Sequence, residues 1–473
     1  MAADRLKEGS KWVPPCAVPC LHQTNEVLEL KEIIKQNKGL ARFMPKQTLK
    51  SEIRYRWSDF VFPFEIDKKK YIYNTFTKQC FEADINIGAN SRFSADEISG
   101  SDELKTLFDG YFLVPEDKDE SVFYEKMISL LRVYGQKKGY ATYTILPTTV
   151  CNARCVYCYE EGAKQVTMTP ETVKDTIGFI MKTHRKGAEI QLAWFGGEPL
   201  IGERIIDEIC SALKDNGVSY RSSIITNASL ITDENVKKML GLWNMKHIQV
   251  SLDGTEGEYI KRKNYLGSSD GIYKKVLENI TKLKDIPVIL RCNMDEDNID
   301  EVCDFIDELD EALSEKKNIG IDLVPLYGVQ SREDGIGIWE RCVDAWGYAR
   351  RRGFRVVTGI DGKTFRIHRC MADNPSGSIV ITPDGLLYNC EHCEPDKRFG
   401  NIKDGITDQG FIRDYSRVEK TREMCRGCAL LPECTSFTRC PVKNANCRYA
   451  MEQRMIYGLM GTIEKEKTNA VKG

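Results

Sequence analysis

Cys151, Cys155 and Cys158 stand close together in the string CNARCVYCYE. Three thiolates on one short segment can hold three irons of a four-iron cluster and leave the fourth open. An open iron can bind a substrate or cosubstrate directly, whereas a cluster held by four cysteines mainly carries electrons. The C-x3-C-x2-C spacing is improbable as an accident. With 18 Cys in 473 residues, about 0.03 occurrences are expected by chance. A zinc site prefers four ligands, and no His lies near these cysteines to supply the fourth.

Two further groups of residues carry chemical signal. Gly196, Gly197, Glu198 and Pro199 form a Gly-Gly-Glu-Pro string, whose glycines let backbone approach a ligand closely. Eight more cysteines crowd residues 370–447: Cys370, Cys390, Cys393, Cys425, Cys428, Cys434, Cys440 and Cys447. The scattered Cys80, Cys210, Cys292, Cys303 and Cys342 read as buried, inert thiols, since free cysteine packs as a small hydrophobe. Cys16 and Cys20 sit among prolines in an N-terminal extension, residues 1–50, with a short helix expected near 25–37.

The elements that must position these residues follow from periodicity. From 141 to 326, strand-like runs at 142–147, 189–195, 222–226, 247–252, 288–293 and 319–325 alternate with helical segments near 170–185, 202–215, 232–242, 270–284 and 298–313. Six such units predict an α/β fold: a parallel sheet with outer helices, closed or nearly closed into a partial barrel. Chemistry then belongs at the C-terminal strand ends, and the first three cysteines fall just after the first strand.

Residues 52–140 read as a small α/β module. Two strands, 53–66 and 69–83, would join through a turn at Asp67–Lys70, with helices near 95–108 and 119–136. A winged-helix-like module of this kind can bind a peptide by strand addition, or serve as a cap over the next domain. Residues 327–369 read as a bridge carrying Trp339, Trp346 and a solvated Arg350–Arg352 face. Residues 370–473 form the cysteine-rich end, closed by a helix near 448–466.

Composition narrows the partners. A net charge of −2 gives no electrostatic case for nucleic acid. No run approaches the ~18 apolar residues of a membrane span. The N-terminus lacks the apolar core of a secretory signal, so a reducing, cytoplasmic setting is expected, where clustered cysteines mean metal or redox chemistry.

The cysteine motif after strand one and Gly-Gly-Glu-Pro after strand two resemble the radical S-adenosylmethionine superfamily. The resemblance implies that Cys151, Cys155 and Cys158 hold a [4Fe-4S] cluster whose open iron binds S-adenosylmethionine. Reductive cleavage then gives a 5′-deoxyadenosyl radical that removes hydrogen from an unactivated carbon. Tyr157 matches the position that packs by the adenine. Gly196, Gly197 and Glu198 match the positions that meet the methionine amino group. Ser251 and Asp253 match polar residues near the ribose. Asn227 and Arg291 match further polar positions around the cosubstrate.

The eight late cysteines resemble the SPASM extension of that superfamily. Cys370, Gly385 and Cys390 fit its first part, and Cys425, Cys428 and Cys434 its C-x2-C-x5-C run. Five residues rather than three then separate Cys434 from Cys440, and Cys393 is additional. The count suffices for two auxiliary clusters, three [4Fe-4S] clusters in all. By the resemblance, Cys425, Cys428, Cys434 and Cys447 serve the outer one, and Cys370, Cys390 and Cys440 the nearer. Cys393 would complete the nearer cluster or leave it open. Glu391 matches a proton acceptor in sulfatase-maturing relatives, its alternative being an exposed loop acid. The string YNTFTKQCFEAD resembles the opening strands of leader-recognition domains. Together these imply a peptide maturase that takes a precursor peptide with its leader and a reductant such as flavodoxin or ferredoxin. The product would be a cross-link, a thioether first, with carbon–carbon or carbon–oxygen bonds behind it. A formylglycine-generating enzyme is the nearest alternative, and a multicluster electron carrier is the alternative of another class.

Overall fold

The computed structural model describes residues 47–83, 91–135, 138–330, 335–360, 364–434 and 447–472. The helix expected near 25–37, the pair Cys16 and Cys20, and Cys440 lie outside these residues. Cys447 opens the last helix, Cys447–Lys472, and its side chain also lies outside the description.

Six parallel strands, Thr142–Thr148, Ile190–Gly196, Tyr220–Thr226, Met245–Ser251, Val288–Met294 and Ile319–Pro325, lie side by side in chain order. The first and the sixth are buried at every position, as strands covered on both faces must be. The helices between them start and stop where local chemistry dictates. Thr169 caps Pro170–Thr183 through its side chain, with Pro170 at the first helical position, where its missing N–H costs nothing. Helix Glu203–Asp215 buries Ile206, Ile209, Cys210 and Leu213, spaced three and four apart against the sheet.

The sheet does not stop at residue 326. Helix Ile336–Arg351 buries Trp339 and Trp346 and leads to strand Arg355–Val356, parallel to the sixth strand. On the opposite edge, Ser378–Ile381 pairs in parallel with the first strand. Three short antiparallel strands, Leu386–Tyr388, Gly400–Asn401 and Gly405–Ile406, carry the same sheet into the cysteine-rich end. The bridge expected over 327–369 is therefore partly built into the barrel. A two-residue strand is too short to show periodicity. In the Arg350–Arg352 run, Arg351 and Arg352 are exposed as expected, Arg352 pairing with Asp307 at 2.7 Å, while Arg350 is half-buried over the Tyr457 ring.

The N-terminal module departs from its expected two long strands. Among the described residues it holds six short ones in two three-stranded antiparallel sheets. Asn74 explains one break, because its side-chain oxygen accepts from the N–H groups of Phe76 (3.0 Å) and Thr77 (2.9 Å), turning the chain after Lys69–Asn74. Asp67 and Lys68 both adopt positive φ in the hairpin turn between Val61–Ile66 and Lys69–Asn74, as a two-residue loop requires. The single helix expected over 95–108 is two, Ala95–Ser99 and Asp102–Asp109, because Ser101 caps a new start beyond Gly100. Helix Glu120–Gly135 matches its expectation.

The module is fastened to the cysteine-rich end. Glu433 receives the Tyr73 hydroxyl (3.0 Å) and the Lys78 ammonium; Tyr73 and Glu433 are buried and Lys78 is half-buried. Arg132 reaches the carbonyl of Ile367 and the carboxylate of Asp373. Two of the scattered cysteines contradict their expected burial. Cys80 faces outward because Phe81 takes the inner side of strand Gln79–Glu82, and Cys303 lies on the outer face of helix Val302–Ala312. Cys210, Cys292 and Cys342 are buried as expected. Among the described residues, no helix is long and apolar enough to cross a membrane.

Candidate functional site

Cys151, Cys155 and Cys158 lie, half-buried, on the loop that leaves the first strand at its C-terminal end. The amide of Ala153 points at the Cys151 sulfur at 3.4 Å, and the amide of Cys158 bonds the carbonyl of Cys155 at 3.0 Å. The same tight turn recurs at the other two C-x2-C pairs. Cys393 N–H bonds Cys390 O (3.1 Å), and Cys428 N–H bonds Cys425 O (3.2 Å). Burial pushes the Cys151 thiol up to about 11 and that of Cys158 up as well. Binding of a metal group must therefore displace protons from them. Among the described residues, no three Cys, His, Asp or Glu side chains converge on a single ion. Three sulfurs spread along one loop, with backbone N–H groups aimed at them, fit a cluster whose thiolates bind separate irons.

The glycines after the second strand act first on the chain itself. A Cβ on Gly197 would lie 2.4 Å from the Val150 carbonyl oxygen, and one on Gly196, at φ +118°, would lie 2.3 Å from that of Thr148. Gly197 N–H bonds Thr148 O (3.1 Å) and Glu198 N–H bonds Val150 O (2.9 Å). The end of strand two thus clamps the approach to Cys151.

Five residues expected around the cosubstrate have side chains that bond to the chain. Glu198, 1% exposed, accepts from Thr226 Oγ1 (2.7 Å), Asn227 N (2.8 Å) and Leu200 N (3.1 Å). Burial raises its carboxyl despite those bonds. Asn227 donates to Asn152 Oδ1 (2.9 Å), and Asn152 donates to Ser229 Oγ (2.9 Å), whose hydroxyl returns to Asn227 Oδ1 (2.6 Å). Arg291 pairs with Asp322 at 2.8 Å inside the sheet. Asp253 is fully buried and pairs with Lys263 at 2.8 Å. The Tyr157 ring, expected beside adenine, packs 5.2 Å from the Arg262 guanidinium, and its hydroxyl donates to Asp253. Ser251, at the end of the fourth strand and opposite Arg291, is half-buried.

Asn152, Ser229, Lys263 and Asn293 escaped sequence reasoning. Asn152 was readable as the polar residue inside the cysteine string. Lys263 was not, since KRK reads as a solvated charge run. His392 was also missed. It stacks at 4.4 Å from Tyr159, on the first cysteine loop, and at 5.9 Å from Tyr327, beyond the sixth strand.

The later cysteines pack against three sets of residues. Cys370 and Cys390 pack with Phe411 against Ala372 and Tyr415. Cys393, with φ +47°, packs against Leu146, Met371, Val380 and Tyr388. Cys425 and Cys428 lie against Phe60, Phe76, Phe365 and Leu431. Successive turns close from Cys428 to Cys425, Leu431 to Cys428 and Cys434 to Leu431, the first reversing the chain through Gly427 at positive φ. Glu391 is half-buried, with an oxygen 3.7 Å from the Cys390 sulfur.

Residues 145–309 match the model of the Radical SAM superfamily, a family whose members use a [4Fe-4S] cluster and S-adenosylmethionine. A probable GTP 3′,8-cyclase of Methanosarcina mazei is 28% identical over 327 residues, covering 65% of this chain and 89% of that protein. The sporulation killing factor maturation protein SkfB of Bacillus subtilis is 28% identical over 172 residues, covering 35% of this chain and 38% of SkfB. Coverage is also partial, at 37%, for an uncharacterised protein of Methanocaldococcus jannaschii that is 31% identical over 23% of this chain. The solved structure of anSMEcpe with bound AdoMet and Cp18Cys peptide has the same fold: TM-score 0.53 and 16% identity, covering 69% of this chain and 99% of that one.

Proposed function

We propose that this chain is a peptide maturase. It would use a cluster on Cys151, Cys155 and Cys158 with S-adenosylmethionine to cross-link a ribosomally made precursor peptide, a thioether being the preferred bond. The observation that carries the reading is the three-thiol loop at the C-terminal end of the first parallel strand, clamped by Gly196 and Gly197. The likeness to SkfB, a maturation protein by name, supports the peptide as substrate. So does the N-terminal module: fastened at Glu433, it would deliver a docked leader beside the late cysteines.

When bound, the clusters and S-adenosylmethionine supply hydrogen-atom abstraction and take up the remaining electron. The residues of the chain do the rest. The backbone of Gly196 and Gly197, together with Ser251, is proposed to line the cosubstrate. Asn227, Asp253 and Tyr157 hold the loop that would carry the cluster. Cys370, Cys390, Cys393, Cys425, Cys428, Cys434, Cys440 and Cys447 would hold two auxiliary clusters. Glu391 would accept the thiol proton. A thioether needs one C–H hydrogen atom, one S–H proton and one electron removed, so each ring lowers the peptide by two hydrogens.

The test is anaerobic co-expression with any short, Cys-containing reading frame found beside the gene, followed by mass spectrometry of the peptide and measurement of 5′-deoxyadenosine. Loss of two hydrogens per ring, dependent on residues 52–140, is expected. Cleavage of S-adenosylmethionine without any peptide change would overturn the peptide reading. Conversion of GTP in the same assay would favour a nucleotide substrate, the second reading that the Methanosarcina mazei likeness supports.

A further inference from the structure

Helix Glu256–Lys263 ends at Asn264, whose φ of +46° is the left-handed conformation that asparagine tolerates and that stops a helix. The chain beyond it runs antiparallel to the first cysteine loop. Arg154 N–H bonds the carbonyls of Lys263 and Asn264 (3.0 Å each), Val156 N–H bonds Arg262 O (3.0 Å), and Leu266 N–H bonds Asn152 O (2.9 Å). Ala153 and Tyr265 form a bridge between these bonds. The part of the cysteine loop from Asn152 to Val156 is thus held by backbone bonds to residues 262–266.

Side chains lock this pairing from beneath. Arg262 and Lys263 are consecutive cations, 1% and 2% exposed, and each has its own carboxylate. Arg262 forks onto Asp295 with two contacts of 2.8 Å. Lys263 pairs with Asp253 at 2.8 Å and also donates to the Tyr157 hydroxyl at 2.8 Å. A carboxylate has about four acceptor positions. On Asp253, Lys263 and Tyr157 use Oδ2, while the backbone and side-chain N–H groups of Asn293 use Oδ1 at 2.8 and 3.1 Å. Its acceptor capacity is filled by the chain.

We propose that Lys263 and Asp253 are positioning residues for the first cysteine loop, holding Tyr157, and through it Cys155 and Cys158, in the geometry the metal group requires, and that the Asp253 carboxylate does not contact the cosubstrate. This deepens the function proposed above and rests on it for the purpose of the loop. Breaking the pair leaves one buried charge without its partner, which is why the loop, and not a binding contact, is what gives way.

The test is hydrogen–deuterium exchange of the full-length protein without iron, read on peptides covering 151–158, for Tyr157→Phe, Lys263→Met and the double variant Asp253→Asn/Lys263→Met. The double variant leaves no lone buried charge and so keeps the test open if Lys263→Met does not fold. Exchange about tenfold faster at 151–158, with peptides from 170–215 unchanged, is the expected result for the double variant. Tyr157→Phe should show a smaller effect of the same sign. In iron-loaded protein, the reduced-state paramagnetic resonance line shape should change before affinity for S-adenosylmethionine does. Unchanged exchange at 151–158 together with a tenfold or greater loss of that affinity would overturn the proposal. So would a uniform rise in exchange across the barrel. If the wild type does not cleave S-adenosylmethionine, the proposed function falls and the exchange result still decides this inference.

Discussion

Asn227 and Asn152 face each other at 2.9 Å, side-chain amide to side-chain oxygen, and join the end of the third barrel strand to the residue after Cys151. Ser229 closes the figure by bonding both. Asn227→Leu would leave the Asn152 oxygen and the Ser229 donors without partners, and such buried orphans cost about 1–3 kcal/mol each. We expect a lower urea midpoint and less iron retained after desalting. Asn152→Ala combined with Asn227→Ala should cost less than the sum of the singles, because both remove the same bond.

Gly197→Ala places a methyl group against two carbonyl oxygens, Val150 at 2.4 Å and Thr149 at 2.5 Å. Backbone cannot yield as a side-chain tip can, so the approach to Cys151 must shift. The expected outcome is destabilisation of about 1–3 kcal/mol, the scale of stored backbone strain, with loss of cluster loading. Gly162→Ala is the control for the added methyl group, since nothing lies within 4 Å of its Cβ, although its own φ of +78° carries some strain. Iron content of the two variants after anaerobic reconstitution checks the difference.

Lys78 and Glu433 form a buried pair between the N-terminal module and the cysteine-rich end, with side chains 8% and 2% exposed. Removing one partner strands the other, which costs about 3–5 kcal/mol, while replacing both costs much less. Glu433→Gln should make the module more sensitive to limited proteolysis than Lys78→Met/Glu433→Gln does. Equal sensitivity of the two variants would count against a coupled pair.

Glu120 opens the helix Glu120–Gly135 and accepts from the Ser58 hydroxyl (2.7 Å) and the Asp59 amide (2.6 Å). Burial nevertheless raises its carboxyl above the ordinary 4.5. The folded chain therefore holds that proton more tightly than the unfolded chain. Stability from this group is fully present below 4.5 and is lost as pH rises through the raised value. Glu120→Gln should flatten the fall of the urea midpoint as pH rises above 4.5.

Strand positions in the barrel were readable because buried parallel strands are continuous apolar runs of ordinary length, such as IGIDLVP. The cysteine loop was readable from spacing alone. The N-terminal strands were misjudged where polar side chains turn the chain, at Asn74 above all, and alternation carries no sign of such a turn. Lys263 was illegible for a different reason. A charge run looks the same whether its carboxylates are water-exposed neighbours or, like Asp253 and Asp295, distant residues folded against it. The same limit applies to Arg291, whose partner Asp322 is on the next strand.

Strand Ser378–Ile381 pairs with Thr142–Ile145, so the outer edge of the first barrel strand is covered by chain made after every other barrel strand. Vectorial synthesis therefore leaves that edge exposed until the ribosome has passed the sixth strand and its helix. Contacts of such high sequence separation form slowly and leave aggregation-prone edges in the meantime. A truncation before Ser378 should accumulate as a nascent chain engaged by chaperones, with the strand that leads to Cys151 as its sticky surface.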